Sequence, residues 1–96
     1  MAYVRMVIAE AVSDDQLRQF RAIYKQDIEP SLLKEPGCLS PGLLFEEGGR
    51  MMIVWTVWDT REHCLSYHAS RSYRLLVAKT QHLVIGDFVE KLFRLE

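Results

Sequence analysis

Two hydrophobic periods alternate along the chain. Four stretches rich in β-branched and aromatic residues, at 3–12, 38–47, 50–58 and 88–95, are typical of strands. Between them lie two stretches in which apolar residues recur every three or four positions, as they do in amphipathic helices. The resulting order, βαββαβ, predicts an α+β fold of the ferredoxin-like plan with an antiparallel sheet.

The predicted helices carry their own start and stop signals. Residues 13–16 form a capping box, and an apolar stripe follows over 17–32. Pro30 falls inside that stripe, so we expect the first helix to break or kink there. The second helix is predicted over residues 60–82, with a bend near Ser70.

The third strand, MMIVWTVW, is apolar on both faces. A strand with one face in water alternates apolar and polar residues, and this one does not. Two helices cover only one face of a four-stranded sheet, which leaves the other face bare. Such a surface marks an association site, so the pattern predicts a homodimer that packs sheet face to sheet face.

The composition is that of an ordinary globular protein, with 49% hydrophobic and 26% charged residues among 96. We therefore expect one domain over residues 1–96. A net charge of -1 gives no electrostatic reason to bind nucleic acid. The longest apolar run, at 51–58, is too short to cross a membrane as a helix, and charges interrupt the N-terminal apolar run before it resembles a signal peptide. These features predict a cytoplasmic protein without a membrane partner.

The sequence predicts neither a metal site nor a bound cofactor. It contains no CxxC, HExxH or glycine-rich phosphate loop, and His63, His68 and His82 are not spaced as a set of metal ligands. Cys38 and Cys64 are expected to be free thiols in a reducing compartment.

The second helix carries the candidate chemistry. His63 and Tyr67 are one turn apart, and Trp58 precedes the helix, so we expect all three to border one concavity suited to a flat aromatic substrate. His63 is the expected proton acceptor. The predicted catalytic residues are His63 and Tyr67, and the predicted substrate-binding residues are Trp58, His68, Tyr73 and Arg71. Taken singly, each also has a structural interpretation, as a core tryptophan, a hydrogen-bonded histidine or a solvated arginine.

Three segments together resemble a known family. They are EPGCLS at residues 35–40, VWDTRE at 57–62 and YHASRSY at 67–73. Their order and spacing are similar to those of the antibiotic biosynthesis monooxygenase (ABM) domain family. The resemblance implies a ferredoxin-like dimeric α+β barrel, in agreement with the pattern of the third strand.

The resemblance implies two possible functions. Some members of the family oxidise polycyclic phenols or quinols with molecular oxygen and no cofactor, which suggests a monooxygenase acting on a small aromatic metabolite. Haem-degrading members carry a later helix histidine where this chain has Val77, so haem degradation is not implied. The alternative is a non-catalytic ligand-binding or accessory dimer. It is favoured by the lack of the third-strand asparagine that some oxygenases use, and by a histidine at position 68 where many members have one at the position of Tyr67.

Overall fold

Local sequence signals set the ends of most elements in the computed structural model, which describes all 96 residues. The strands are β1 (Ala2–Glu10), β2 (Cys38–Phe45), β3 (Met51–Trp58) and β4 (Val89–Leu95). The helices are α1 (Asp14–Ile23), α2 (Glu29–Leu33), α3 (Arg61–His68) and α4 (Arg71–Thr80), with a π-helical segment at Tyr24–Ile28 and a 3₁₀ turn at Gln81–Leu83. The four strands form one antiparallel sheet in the order β2-β3-β1-β4. The predicted ferredoxin-like α+β plan is confirmed.

The first helical region does not break at Pro30. Instead, the hydrogen-bond ladder changes register in the π-helical segment, where the Glu29 N–H donates to the Tyr24 carbonyl. Pro30 then lies in the first turn of α2, where its missing N–H costs least. The predicted interruption thus takes the form of a change of helix type just before Pro30 and not of a break, since the helical path continues to Leu33.

The second helical region divides where the sequence predicts a bend. Thr60 caps α3 by accepting a hydrogen bond from the His63 amide, and Ser70 caps α4 by accepting one from the Tyr73 amide. Ser70 thus begins a separate helix, α4, which contributes Tyr73, Leu76, Val77 and Thr80 to the candidate site.

The helices cover one face of the sheet, and the other face is open. On the covered face, Arg5 pairs with Thr56 and Val7 with Val54 between β1 and β3. The core beneath the helices is built around Trp58, which is fully buried. It is completed by other buried apolar side chains, among them Phe20, Tyr24, Leu32, Met52 and Leu83.

The open face is largely apolar, although Lys91 of β4 lies on it opposite Met6 of β1. Met6 of β1 lies opposite Trp55 of β3, and Phe93 and Leu95 of β4 are about half exposed. The Trp55 ring lies against Gly42 of β2, where an added Cβ would come within 2.2 Å of it. None of the helices combines the length and apolar character needed to span a bilayer.

Candidate active site

A small apolar cavity lies between the sheet and the helices. Its volume is about 50 Å³, and ten of its 13 lining residues are hydrophobic. Sheet residues form its floor, and side chains from all the major helices form its walls. The lining residues are Val7, Phe20, Ile28, Leu32, Val54, Thr56, Tyr67, His68, Tyr73, Leu76, Val77, Thr80 and Phe88. We call this space the inner cavity.

A wider depression of about 340 Å³ adjoins the inner cavity on its outer side. The two share His68, Tyr73, Val77 and Phe88, so these side chains form the partition between them. The depression, here called the outer pocket, adds the polar residues Arg74, Gln81, Asp87 and Glu90. The apolar inner cavity is thus separated by this partition from an outer pocket that is polar and open to solvent.

Aromatic rings pack in a chain along one wall of the inner cavity. Tyr67 lies between Trp58 and Tyr73, with ring centroids 5.4 Å away on each side. The His68 ring is 4.1 Å from the Tyr73 ring. These tilted and edge-on contacts are the favoured arrangements of aromatic pairs, and they present ring surfaces against which a flat ligand can stack.

A polar cluster lies beside this wall and reaches into the fold from the entrance. The buried Arg5 guanidinium contacts Glu90, with Nη2 2.9 Å from Oε2. The Tyr73 hydroxyl donates a hydrogen bond to the other Glu90 oxygen, Oε1. His68 Nδ1 is 3.9 Å from the same Oε1, too far for a hydrogen bond, and this buried nitrogen has no partner. One carboxylate therefore faces three potential partners and is bonded to two of them.

Burial sets the protonation states around the cavity. The pKa of His68 is lowered from 6.5 to about 3, first by burial of the ring and then by the nearby Arg5 charge. Burial also raises the pKa of Tyr67 and of Tyr73, and the hydrogen bond to Glu90 raises the latter further. At neutral pH the site thus contains a neutral imidazole and two neutral phenols.

The structure brings together three of the residues that the sequence singles out. Tyr67, His68 and Tyr73 line the inner cavity. Trp58 does not line it. Its indole N–H donates a hydrogen bond of 2.7 Å to Thr56 Oγ1, and the side chain is fully buried. Trp58 is therefore a core tryptophan and not a substrate-binding residue. Arg71 is exposed at the start of α4 and lines neither space.

His63 lies outside the cavity, contrary to the expectation that it shares a concavity with Tyr67. Its Nδ1 is 2.7 Å from Asp59 Oδ1, its side chain is 44% exposed, and it packs over Gly37. The two residues share a side of α3, but His63 is one turn nearer the start of the helix, about 6 Å along the axis. The cavity lies at the other end, so His68 reaches it and His63 does not.

Arg5 and Glu90 are site residues that the sequence analysis missed. Arg5 interrupts an otherwise apolar face of β1, where Tyr3 and Val7 are its neighbours on the same side. A charge at such a position is rare unless it is paired, and this was the available signal. No group of three or more His, Cys, Asp or Glu side chains is arranged to hold a metal ion.

The sequence matches the antibiotic biosynthesis monooxygenase family over residues 3–79. Because the match spans well over half of the chain, the protein belongs to this family. The resemblance carried by residues 35–40, 57–62 and 67–73 is therefore confirmed. No curated protein matches the sequence.

Solved structures share the fold over almost the whole chain. A Streptomyces coelicolor monooxygenase from the gene ActVA-Orf6, in complex with nanaomycin D, has a TM-score of 0.86 at 12% identity, covering 99% of this chain and 88% of that one. SnoaB, a cofactor-independent oxygenase of Streptomyces nogalater, has a TM-score of 0.82 at 13% identity, covering 98% and 92%. A conserved protein from Methanosarcina mazei has a TM-score of 0.85 at 16% identity, covering 100% and 94%. At these identities the likeness establishes the fold alone.

Proposed function

We propose that the protein is a monooxygenase that oxidises a small phenol- or quinol-type aromatic compound with molecular oxygen, without metal or flavin, and that His68 is its base. One observation carries this proposal. Among the side chains lining the inner cavity, His68 is the only one able to accept a proton at neutral pH, since the remaining polar groups are threonine hydroxyls and neutral phenols. Family membership and the oxygenases of the same fold support the reaction class.

The proposed reaction needs no external reductant. His68 takes a proton from the substrate, and the resulting electron-rich anion reduces oxygen directly. In an anthrone, the reacting CH₂ becomes a carbonyl, one oxygen atom enters the product and the other leaves as water. All four electrons come from the substrate, so the role of the protein is to bind, deprotonate and orient it.

The substrate enters through the outer pocket in this proposal. At about 50 Å³ the inner cavity is far below the roughly 300–1,000 Å³ typical of small-molecule sites. Binding therefore requires the partition to move, and Tyr73 and Phe88 are the large side chains that separate the two spaces. We expect rotation of these rings to join the inner cavity to the 340 Å³ outer pocket.

The open sheet face supports a homodimer as the functional form. All four strands contribute apolar side chains to this face, and a surface of this kind is rarely left in water. We expect a dimeric mass by light scattering at micromolar concentration. Trp55→Lys should yield monomers, whereas Leu65→Lys, on the exposed side of α3, should not. A monomeric wild type would contradict this part of the proposal. A cytoplasmic location is also part of it, in keeping with two cysteines that are unpaired in the fold.

Oxygen uptake tests the reaction. We expect uptake with at least one compound in a panel of hydroquinones and anthrones. His68→Asn should reduce turnover by roughly two to four orders of magnitude while leaving the fold intact. His82→Asn, at an exposed position, is the matched control. His63→Ala tests the alternative base that the sequence predicted. If His63→Ala loses turnover and His68→Asn keeps it, then His63 is the base and His68 is not. No uptake with any compound at saturating levels would argue against catalysis.

A non-catalytic binding protein is the second candidate. Val54 of β3 lines the inner cavity, and no asparagine is present on this strand. The site then has few groups to stabilise an anion. This candidate predicts that aromatic ligands raise the melting temperature without any turnover.

A further inference from the structure

Glu90 is the common neighbour of the groups that surround His68. Its carboxylate is 41% exposed at the entrance, whereas the His68 side chain is 10% exposed. Oxygen Oε2 binds Arg5, which anchors one side of the carboxylate. Oxygen Oε1 accepts the Tyr73 hydroxyl and lies 3.9 Å from His68 Nδ1. Tyr73 and His68 thus face the same carboxylate oxygen, and the bonds from Arg5 and Tyr73 hold it 3.9 Å from His68 Nδ1.

We propose that Glu90 is a positioning residue for His68, and that the Tyr73 hydroxyl holds Glu90 away from His68 until a ligand engages that hydroxyl. This inference rests on the proposed role of His68 as the base. Tyr73 lines both the inner cavity and the outer pocket, so an entering hydroxylated ring meets its hydroxyl. Once Tyr73 bonds to the ligand, the carboxylate is held by Arg5 alone and is able to turn toward His68 Nδ1. Closing the gap to a charge-assisted hydrogen bond takes a movement of about 1 Å.

The new hydrogen bond between His68 and Glu90 makes the imidazole a stronger base. A hydrogen bond from Nδ1–H to Glu90 fixes the tautomer, so the lone pair lies on Nε2, which then accepts the substrate proton. The carboxylate stays ionised and stabilises the imidazolium that forms. Without a ligand, Glu90 is bonded to Arg5 and Tyr73 and not to His68. Burial and the Arg5 charge then both oppose a positive charge on the His68 ring. The base is therefore weak in the empty site and strengthened when ligand is present.

Other charged and titratable groups face His68 besides Glu90. Arg5 approaches His68 from β1, and Tyr67 is the residue before His68 on α3. Tyr73 and Arg74 belong to α4, and Asp87 lies in the loop before β4. The Arg74 guanidinium donates to the Ala69 carbonyl, so it is directed to the end of α3. Of the two carboxylates, only that of Glu90 is within 4 Å of Nδ1.

Titration of the histidine rings by NMR tests this inference without any need for turnover. In the wild type, His68 is expected to stay neutral at pH values well below its ordinary pKa of 6.5. Tyr73→Phe keeps the ring and removes the hydroxyl, so the pKa of His68 should rise by roughly one to two units, a ten- to hundredfold gain in proton affinity. The Tyr73→Phe substitution made in a Glu90→Gln background should leave the pKa of His68 unchanged. His63 and His82 serve as internal controls, and their titration should not change.

A ligand supplies the second arm, which does not depend on the folding of any variant. Naphthol added to the wild type should raise the pKa of His68 in the same direction as Tyr73→Phe, whereas naphthalene, which lacks the hydroxyl, should not. An unchanged His68 titration in Tyr73→Phe, or a rise that persists in the double variant, would overturn the inference. Failure of the proposed function has a different signature, namely a titration that responds as described with no oxygen uptake.

Discussion

Acid should destabilise this protein well above the pH at which its carboxylates titrate, and the cause is His68. Its pKa is about 3 in the folded chain against an ordinary 6.5, so the unfolded chain binds the proton more tightly. Stability contributed by the neutral ring is complete above about pH 6.5 and is lost as the pH falls toward 3. The slope approaches about 1.4 kcal/mol per pH unit, which amounts to about 2 kcal/mol between pH 7 and pH 5.

Urea unfolding followed by tryptophan fluorescence measures this loss. Trp58 is fully buried, so its emission reports on the core. Unfolding free energies are compared at about pH 7, 6 and 5 and at one protein concentration, because the proposed association would also contribute to stability. The wild type is measured beside His68→Asn, which removes the titrating group, and His82→Asn, which removes an exposed histidine.

The comparison between variants isolates the buried ring. The His68→Asn curve should be flatter than the wild-type curve by about 2 kcal/mol over this interval, and the His82→Asn curve should run parallel to the wild type. Parallel curves for the wild type and His68→Asn would refute the reasoning. That outcome would mean that His68 is solvated or paired with Glu90 in the resting protein.

Three substitutions test other features of the fold. Thr56→Val removes the acceptor of the buried Trp58 N–H and should cost roughly 1–3 kcal/mol in urea unfolding. Gly42→Ala places a Cβ within 2.2 Å of the Trp55 ring and should displace it. The proposed dimer should then be weaker by light scattering, and an unchanged mass would exclude Trp55 from the interface. Gly37→Ala introduces a side chain at φ 83°, against the imidazole and carboxylate beneath it, and should cost more than about 1 kcal/mol in thermal unfolding.

The fold was predictable because its signals are local. Strand and helix periods, the capping serines and the turn glycines each act over a few residues, and they set the order βαββαβ. The doubly apolar third strand also indicated an uncovered sheet face, which the fold contains. The helix around Pro30 was not predictable in this way. A π-helical segment there satisfies the backbone around the proline, and nothing in the hydrophobic period distinguishes it from a break.

The site was only partly predictable because its geometry is not local. Helical spacing gives the side of α3 on which His63 and Tyr67 lie, but it does not say where along the axis the cavity opens. That position depends on how α3 and α4 pack against the sheet, which brings Val7 and Val54 together with Tyr67 and Tyr73. Arg5 and Glu90 are 85 positions apart in the chain and meet through the pairing of β1 with β4. Neither position identifies its partner in the sequence.

The Arg5–Glu90 pair is better understood as part of the site than as a stabilising element. Burying a guanidinium carries a desolvation cost that a single ion pair often does not recover, and Arg5 Nε has no hydrogen-bond partner. Its effect on geometry is more definite. By binding Oε2, Arg5 fixes the Glu90 carboxylate with its other oxygen directed to Tyr73 and His68. In the proposal above, the buried Arg5 on β1, one of the two inner strands, thus sets the orientation of Glu90 and through it the basicity of His68.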